Sequence, residues 1–488
     1  MTDDQMTNDQ MAKEKWRRGA WEIAAWLVRG EIILLSLIYV YFVVSDTVPL
    51  AAFAVIALIW IARWWMNSSL AARPTSHVTR NTQHPFGFTQ GKVSRFTFHV
   101  PRHSPLALPI WIILAWLPLS LWASTNWSLS LPKAYGVILG AACFYAVVNQ
   151  IVTRRDLTWA TFWLALVCIA IALAGLVGTD WAQSKIVSAS FIYDHLPRFI
   201  QSIPRSISGG FARNGVGGTL AFTIPLLAVM ASQKLKVKSQ KSESNPLFTI
   251  HCSLFTVDRL LFTVLAWLAL TLSLITLTLT QSRGGILGTV VGSLAVAVWR
   301  ERRCAWLLVV GALGLIVLLA LGHGNVLAEF LLRMDARSGT LASRLEVWQR
   351  GVAMVQDFPF TGIGIGTYNT IAHSLYPFFI AAPDEVVPHA HNNLLEVAVD
   401  LGIPGLIAYV ALLTGFVICA VRAYRATVDD GVRALIVGLL CGMLAHQTFG
   451  LTDAFILGTK PGVLMWVYFG LMVAVYARQA EWRVTGDG

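Results

Sequence analysis

The stretch PHAHNNLLEVAVDLGIPG, Pro388 to Gly405, sets two histidines, two asparagines and two carboxylates between very apolar neighbours. Asn393 followed by Glu396 has the spacing of a capping box. It predicts a helix running to Leu401, with Gly402 as its stop and Pro404 beyond. His391 then stands just ahead of a helix N-terminus, whose positive dipole end disfavours a second proton on a nearby imidazole. A neutral imidazole near pH 7 can take a proton, as a general base must; the alternatives are a metal ligand or a histidine that only hydrogen-bonds its loop. His389, two positions earlier, shares a face with His391 only if the segment is extended. No further histidine or cysteine accompanies them at a zinc-ligand spacing, and Asp384 and Glu385 are adjacent between prolines rather than arranged as a DxD pair. Metal binding is therefore not expected, and phosphate chemistry here needs another source of positive charge.

Arginine is that source. LTQSRGG places Arg283 at the end of an apolar run, followed by two glycines that let a ligand approach the backbone. Arg344 lies in an amphipathic segment in which Leu341, Leu345, Trp348, Val352 and Val355 step by four, three, four and three. Arg213 opens another apolar run in GGFARNGVGG. Guanidinium groups bind phosphate bidentately and stay charged; the competing reading is snorkelling at helix ends. GIGIGTY, Gly362 to Tyr368, lacks the GxGxxG spacing and follows no predicted strand, so it reads as a tight loop. Asp453 and His446, near the end of an apolar run, could line a cavity; the competing reading is a satisfied buried polar group.

These residues must be held by a membrane protein. The chain has 488 residues, is 56% hydrophobic and 13% charged, and has a mean hydropathy of +0.62. Its apolar runs suit helices of roughly 20 residues across a core of about 30 Å, and they lack the alternation of barrel strands. The predicted fold is an all-α polytopic bundle with about twelve transmembrane helices: 31–45, 48–66, 105–123, 133–151, 158–177, 211–231, 259–279, 284–299, 305–321, 403–421, 431–451 and 461–477. Alternating the loops gathers MAKEKWRR, the 67–104 loop, TRRD, KLKVKSQK, RERR, RAYRATVDDGVR and the C-terminus on one face, with most of the 37 Lys and Arg residues. By the positive-inside rule both termini are cytoplasmic, and the net charge of +11 records topology rather than a nucleic-acid partner.

No cleavable signal peptide is evident, and the six cysteines form no CxxC and indicate no disulfide framework. Two basic stretches, SHVTRNTQHPFGFTQGKVSRFTFHV and SQKLKVKSQKSESNPLFTIHCSLFT, show no helix period and are expected to be dispensable cytoplasmic loops. The segment 322–393 is expected to be one large extracytoplasmic loop whose amphipathic helix stops at Phe358, before Pro359, and rests at the membrane interface with Trp348 as an anchor. No ionisable residue is expected near the middle of any span, which disfavours an ion-coupled transporter.

TQSRGG, then SRLEVWQRGVAMVQDFPFTGIGIGTY, then HAHNNLLEVAVDLGIPGL, in that order, resembles the O-antigen ligase and polymerase superfamily of bacterial membrane glycosyltransferases. The resemblance covers roughly 205–420, flanked by N-terminal helices over 1–204 and C-terminal helices over 421–488. It implies transfer of glycan from an undecaprenyl-diphosphate donor to an acceptor hydroxyl at the outer face of the inner membrane, as in lipopolysaccharide and polysaccharide biosynthesis, with no cofactor. It implies His391 as the group that activates the acceptor, and Arg283, Arg344 and Arg213 as diphosphate-binding residues. Asn214, Ser282, Asn392 and Glu396 are the supporting candidates. There is one departure: where many members carry an Asn-Pro-Asn-like element, this chain has Arg213-Asn214-Gly215. Some relatives carry the label of bicarbonate transporter, so transport of a small anion is the alternative reading.

Overall fold

The computed structural model describes residues 8–44, 50–71, 104–179, 181, 210–232, 246–321, 341–380 and 386–484. They form a helical bundle; the one β feature among them is an isolated bridge between Thr179 and Phe211. In chain order the helices are α1 (Asn8–Val44), α2 (Leu50–Ala71), α3 (Ala107–Ala123), α4 (Trp127–Gln150), α5 (Arg154–Gly178), α6 (Arg213–Ala231), α7 (Pro246–Thr280), α8 (Arg283–Arg300), α9 (Ala305–Ala320), α10 (Leu341–Asp357), α11 (Tyr368–Leu375), α12 (Asn393–Ala426), α13 (Asp430–Phe449) and α14 (Gly462–Val484). Each of the twelve expected apolar segments falls on one of them. Among the described residues eight helices are long and apolar enough to cross a membrane, and two shorter apolar helices cover Ala51–Met66 and Ala107–Ala123.

Local sequence sets the helix ends. The Thr153 hydroxyl and the Asp156 carboxylate close a full capping box on α5, while Asp429 caps α13 by accepting from the Val432 amide at 2.9 Å. The bundle centre is α6, α8 and α13, which pack on one another, with α7 against α6 and α14 against α4. Small residues bring the central helices together. A Cβ on Gly288 would lie 2.5 Å from the Ala445 carbonyl oxygen, and one on Gly285 would lie 2.8 Å from Gly217 backbone. The second glycine after Arg283 therefore admits a helix rather than a ligand.

The helix start expected at Asn393 lies one residue earlier. Asn392 is the cap, its side chain accepting from the amides of Leu394 and Leu395, and Asn393 is the first, buried helical residue. Gly402 does break the helix, with φ 70° and ψ −175°, but Pro404 starts a second helical segment that continues to Ala426. This conformation is essentially restricted to glycine.

Two further expectations are corrected. α1 starts well before residue 31, so Glu31 lies in the middle of the span Gly19–Val43 and is buried with Arg63 of α2 as an ion pair. Spans therefore do carry interior charge, and here it is neutralised within the bundle. The first basic stretch lies outside the described residues, whereas the second runs into α7 from Pro246. The helix α10 forms where its period predicts, and part of its apolar stripe faces outward. Val347 and Met354 are buried with Tyr368, Ile371, Phe378, Val387, Ala390 and Val399, while Leu345 and Val352 are exposed. The residues of 322–393 that are described thus own a small hydrophobic core, which rests on the first turns of α12.

GIGIG is a tight loop, as expected. Gly362, Gly364 and Gly366 all have positive φ, and its amides are spent on the bundle: Ile363 donates to Val399 O at 2.9 Å, Ile365 to Ser120 Oγ at 2.9 Å and Gly366 to Asp400 Oδ1 at 2.9 Å. Irregular backbone beside membrane-spanning helices is tolerated when its polar groups are satisfied in this way.

Candidate functional site

The starts of α6, α8 and α12 and the ends of α7 and α13 meet at one end of the bundle. A cavity of about 140 Å³ opens there, lined by residues that include Asn214, Ser282, Arg283, Arg344, Thr452 and Asp453. That is well below the roughly 300–1,000 Å³ of a drug-sized pocket, so its scale suits a charged headgroup rather than a whole oligosaccharide. The N-termini of α6 and α8 present positive dipole ends, and two guanidinium groups add full charge. Ser282 caps α8 by accepting from the Gly285 amide at 3.3 Å.

Asp453 connects this cavity to the histidine segment. Its Oδ1 lies 3.4 Å from His391 Nδ1 and 3.4 Å from His389 Nε2, and it accepts from the Ala454 amide at 2.9 Å. The two imidazoles meet edge to face with ring centroids 4.4 Å apart. They share one face through a turn and not through an extended strand: His391 has φ 49°. Among the described residues the only non-glycine positions with positive φ are His391 and Gln281, the latter on the cavity wall. Strained backbone of this kind persists only where its surroundings over-determine it.

The protonation pattern follows from the contacts. The His391 amide donates to His389 Nδ1 at 3.3 Å, so that nitrogen bears no proton, and a neutral His389 carries its hydrogen on Nε2, aimed at Asp453. Burial is the main reason His389 is pushed down to about 4; His391 and Lys133 add to it, against Asp453 and Glu396. Burial alone would raise the Asp453 carboxyl, but His391, the charge of His389 and the Ala454 amide outweigh it and hold the carboxyl below its usual range. The Asp453 carboxylate faces Nδ1 of His391 at 3.4 Å; a hydrogen on that nitrogen would leave Nε2 to accept, the arrangement of a histidine base backed by an acid.

His389, His391 and Asp453 also offer three ligand atoms within 4.8 Å of one another. A metal would need the Nε2 lone pair of His389, and that position holds the hydrogen once Nδ1 accepts from the backbone.

Of the residues singled out from sequence, Arg283, Arg344, Asn214 and Ser282 line the cavity, and His391 adjoins it through Asp453. Asn392 is a helix cap. Glu396 is buried beneath the histidine turn, accepting from the Ala390 amide at 2.7 Å and from Lys133 Nζ at 2.9 Å. Arg213 is not among the cavity residues; its guanidinium lies over the Trp181 ring, 5.8 Å from the centroid. Sequence reasoning undervalued Asp453, His389 and Lys133. One signal was present, an aspartate in a loop just past the end of an apolar helix.

An all-helical membrane protein with a cationic cavity beside a carboxylate-backed histidine is equipped for group transfer on an anionic, membrane-borne substrate. Residues 268–410 match the family model described as O-Antigen ligase (Wzy_C). This part of the chain, under a third of its length, is therefore similar to the O-antigen ligase family. Among curated proteins none matches the chain. Arg283, Arg344 and His391 fall inside the matched residues; Lys133, Arg213, Asn214 and Asp453 fall outside them.

Proposed function

We propose that the protein transfers or polymerises glycan from an undecaprenyl-diphosphate-linked donor onto an acceptor sugar hydroxyl at the outer face of the cytoplasmic membrane. The observation that carries this reading is the junction at Asp453: one of its oxygens faces His391 Nδ1 at 3.4 Å while the residue also lines the cavity that holds Arg283 and Arg344. Sidedness rests on the basic loops, which put both termini in the cytoplasm and the cavity end outside.

The acceptor oxygen attacks the anomeric carbon, and its proton passes to His391 Nε2. The bond from that carbon to the donor's phosphate oxygen breaks, and the lipid diphosphate leaves with the electron pair. Arg283 and Arg344 meet the charge that grows on it, already in place before the reaction. Asp453 stabilises the imidazolium that forms at His391. Two arginines and a carboxylate-backed base account for each charge that develops, so the step needs no metal.

The test is glycan transfer in membranes carrying the protein, supplied with lipid-linked oligosaccharide, comparing wild type with His391→Ala and Arg283→Ala and repeating with a chelator. Transfer by wild type that resists chelation and is lost in both variants is expected, and the product size ladder separates polymerase from ligase. Equal transfer by His391→Ala would sink the assignment of the base. Absence of transfer with every acceptor, alongside bicarbonate flux in reconstituted vesicles, would replace the enzyme by a transporter.

A further inference from the structure

Beneath the histidine turn, one ammonium serves two buried carboxylates. Lys133, in the second turn of α4, lies 2.9 Å from Glu396 Oε1 and 3.7 Å from Asp400 Oδ2, on successive turns of α12. The two carboxylate side chains are 1% and 0% exposed. Each in turn fastens a loop. Glu396 Oε2 accepts from the Ala390 amide, next to His391, and Asp400 Oδ1 accepts from the Gly366 amide.

The same turn of α4 also braces the other partner of the base. The Lys133 carbonyl abuts Gly458, where a Cβ would lie 2.1 Å from its oxygen, and Gly458 lies in the loop, 450–461, that carries Asp453. Asn393 ties the two loops directly: its amide donates to Gly450 O at 2.7 Å and its Oδ1 accepts from the Phe455 amide at 2.9 Å. The left-handed backbone at His391 is unfavourable by itself, so its placement depends on these bonds. If the ammonium is removed, Glu396 is a buried carboxylate without its counter-charge, which must protonate, rotate or draw in water. Each of those responses loosens the bond to Ala390.

We propose that Lys133 is a positioning residue, holding His391 at Asp453 through Glu396; this rests on the glycan-transfer reading above. The role reaches across the chain, since Lys133 lies outside the residues that match the family model.

The test uses the full chain in lipid nanodiscs with Lys133→Met, Lys133→Arg and Glu396→Gln. Two quantities are followed: amide exchange over 386–395, and the pH–rate profile of glycan transfer. Lys133→Met should speed exchange in that segment by about tenfold and lower kcat by about 100-fold, with the donor KM little changed, because the base is displaced while the arginines are not. The midpoint of the His389 imidazole should also move to higher pH, since the Lys133 charge opposes its protonation. The groups facing that imidazole are Asp453, His391, Glu396 and Lys133. Lys133→Arg should keep both the protection and most of the rate. Should Lys133→Met fail to fold, Glu396→Gln removes the ionic half of the clamp while leaving an oxygen for Ala390, and it should show the same changes in smaller measure. A folded Lys133→Met protein with a protected segment and near wild-type transfer overturns the proposal, as does Lys133→Arg being no better than Lys133→Met. If wild type transfers nothing, the reaction assigned above fails, and the exchange measurement alone still decides the clamp.

Discussion

Acid should loosen the histidine turn, and the size of the effect follows from where His389 sits. Its side chain is 18% exposed, its Nδ1 is occupied by the His391 amide, and burial pushes it down to about 4. In the unfolded chain the same imidazole takes its proton near 6.5. Between those two pH values the unfolded state binds a proton that the folded state refuses. Stability is therefore complete above about pH 6.5 and is lost as pH falls toward 4. The gap of about 2.5 pH units corresponds to roughly 3 kcal/mol at most, at 1.36 kcal/mol per unit. His389→Gln removes the titrating group, so its stability should be flatter with pH over this window. The assay is unfolding of wild type and variant by denaturing detergent at pH 7, 6, 5 and 4.5, beside NMR titration of the His389 ring, assigned by its absence in the variant. A His389 midpoint near 6.5, or the same acid dependence in both proteins, would refute the reasoning by showing that water reaches the imidazole.

Three other outcomes are expected. Asp453→Asn keeps the shape but not the charge that faces His391, and should lower kcat for glycan transfer by about 10- to 100-fold, the worth of a charge-assisted contact, with donor KM changed less. Arg283→Ala should cost about 100- to 1,000-fold in kcat, as loss of a preorganised charge donor does; Arg283→Lys should recover only part of it, because it loses the bidentate fork. Gly402→Ala puts a Cβ 2.4 Å from the Phe360 carbonyl oxygen at φ 70°, so it should destabilise the protein by about 1–3 kcal/mol, measured as a lower midpoint of detergent-induced unfolding.

Much of this architecture is legible in the sequence, because apolar runs and caps are local signals. The twelve runs each lie on a helix, and Arg283, Arg344, Asn214 and Ser282, spread over three segments, gather around one cavity. What sequence hides is pairing at a distance. Nothing near Asp453 announces that two histidines from another loop will share its oxygen, and nothing near Lys133 announces Glu396. The helix α10 has apolar side chains on two sides, and its stripe does not announce that Val347 and Met354 join the small core formed with Tyr368 and Phe378. Glu31 is misread because apolar composition marks the hydrocarbon-facing surface, while an ion pair closed between two helices leaves no trace in it.

The glycine loop at 362–366 has a consequence for how this end of the bundle meets the lipid. The Trp116 indole donates to Phe360 O at 3.0 Å, and Ile403 donates to Pro359 O at 2.7 Å, so the chain at Pro359 and Phe360 is stitched about seven residues, or roughly 10 Å, inboard of the end of α3. Phe360 itself is 71% exposed there. The segment between α10 and α11 thus works as a keel: its aromatic tip is set at a depth fixed by hydrogen bonds, and Arg344 one helix away inherits that depth. A leaflet that thickens or thins around such a keel would raise or lower Arg344 relative to the bilayer surface, which makes the thickness of the host bilayer a variable of the cavity's setting.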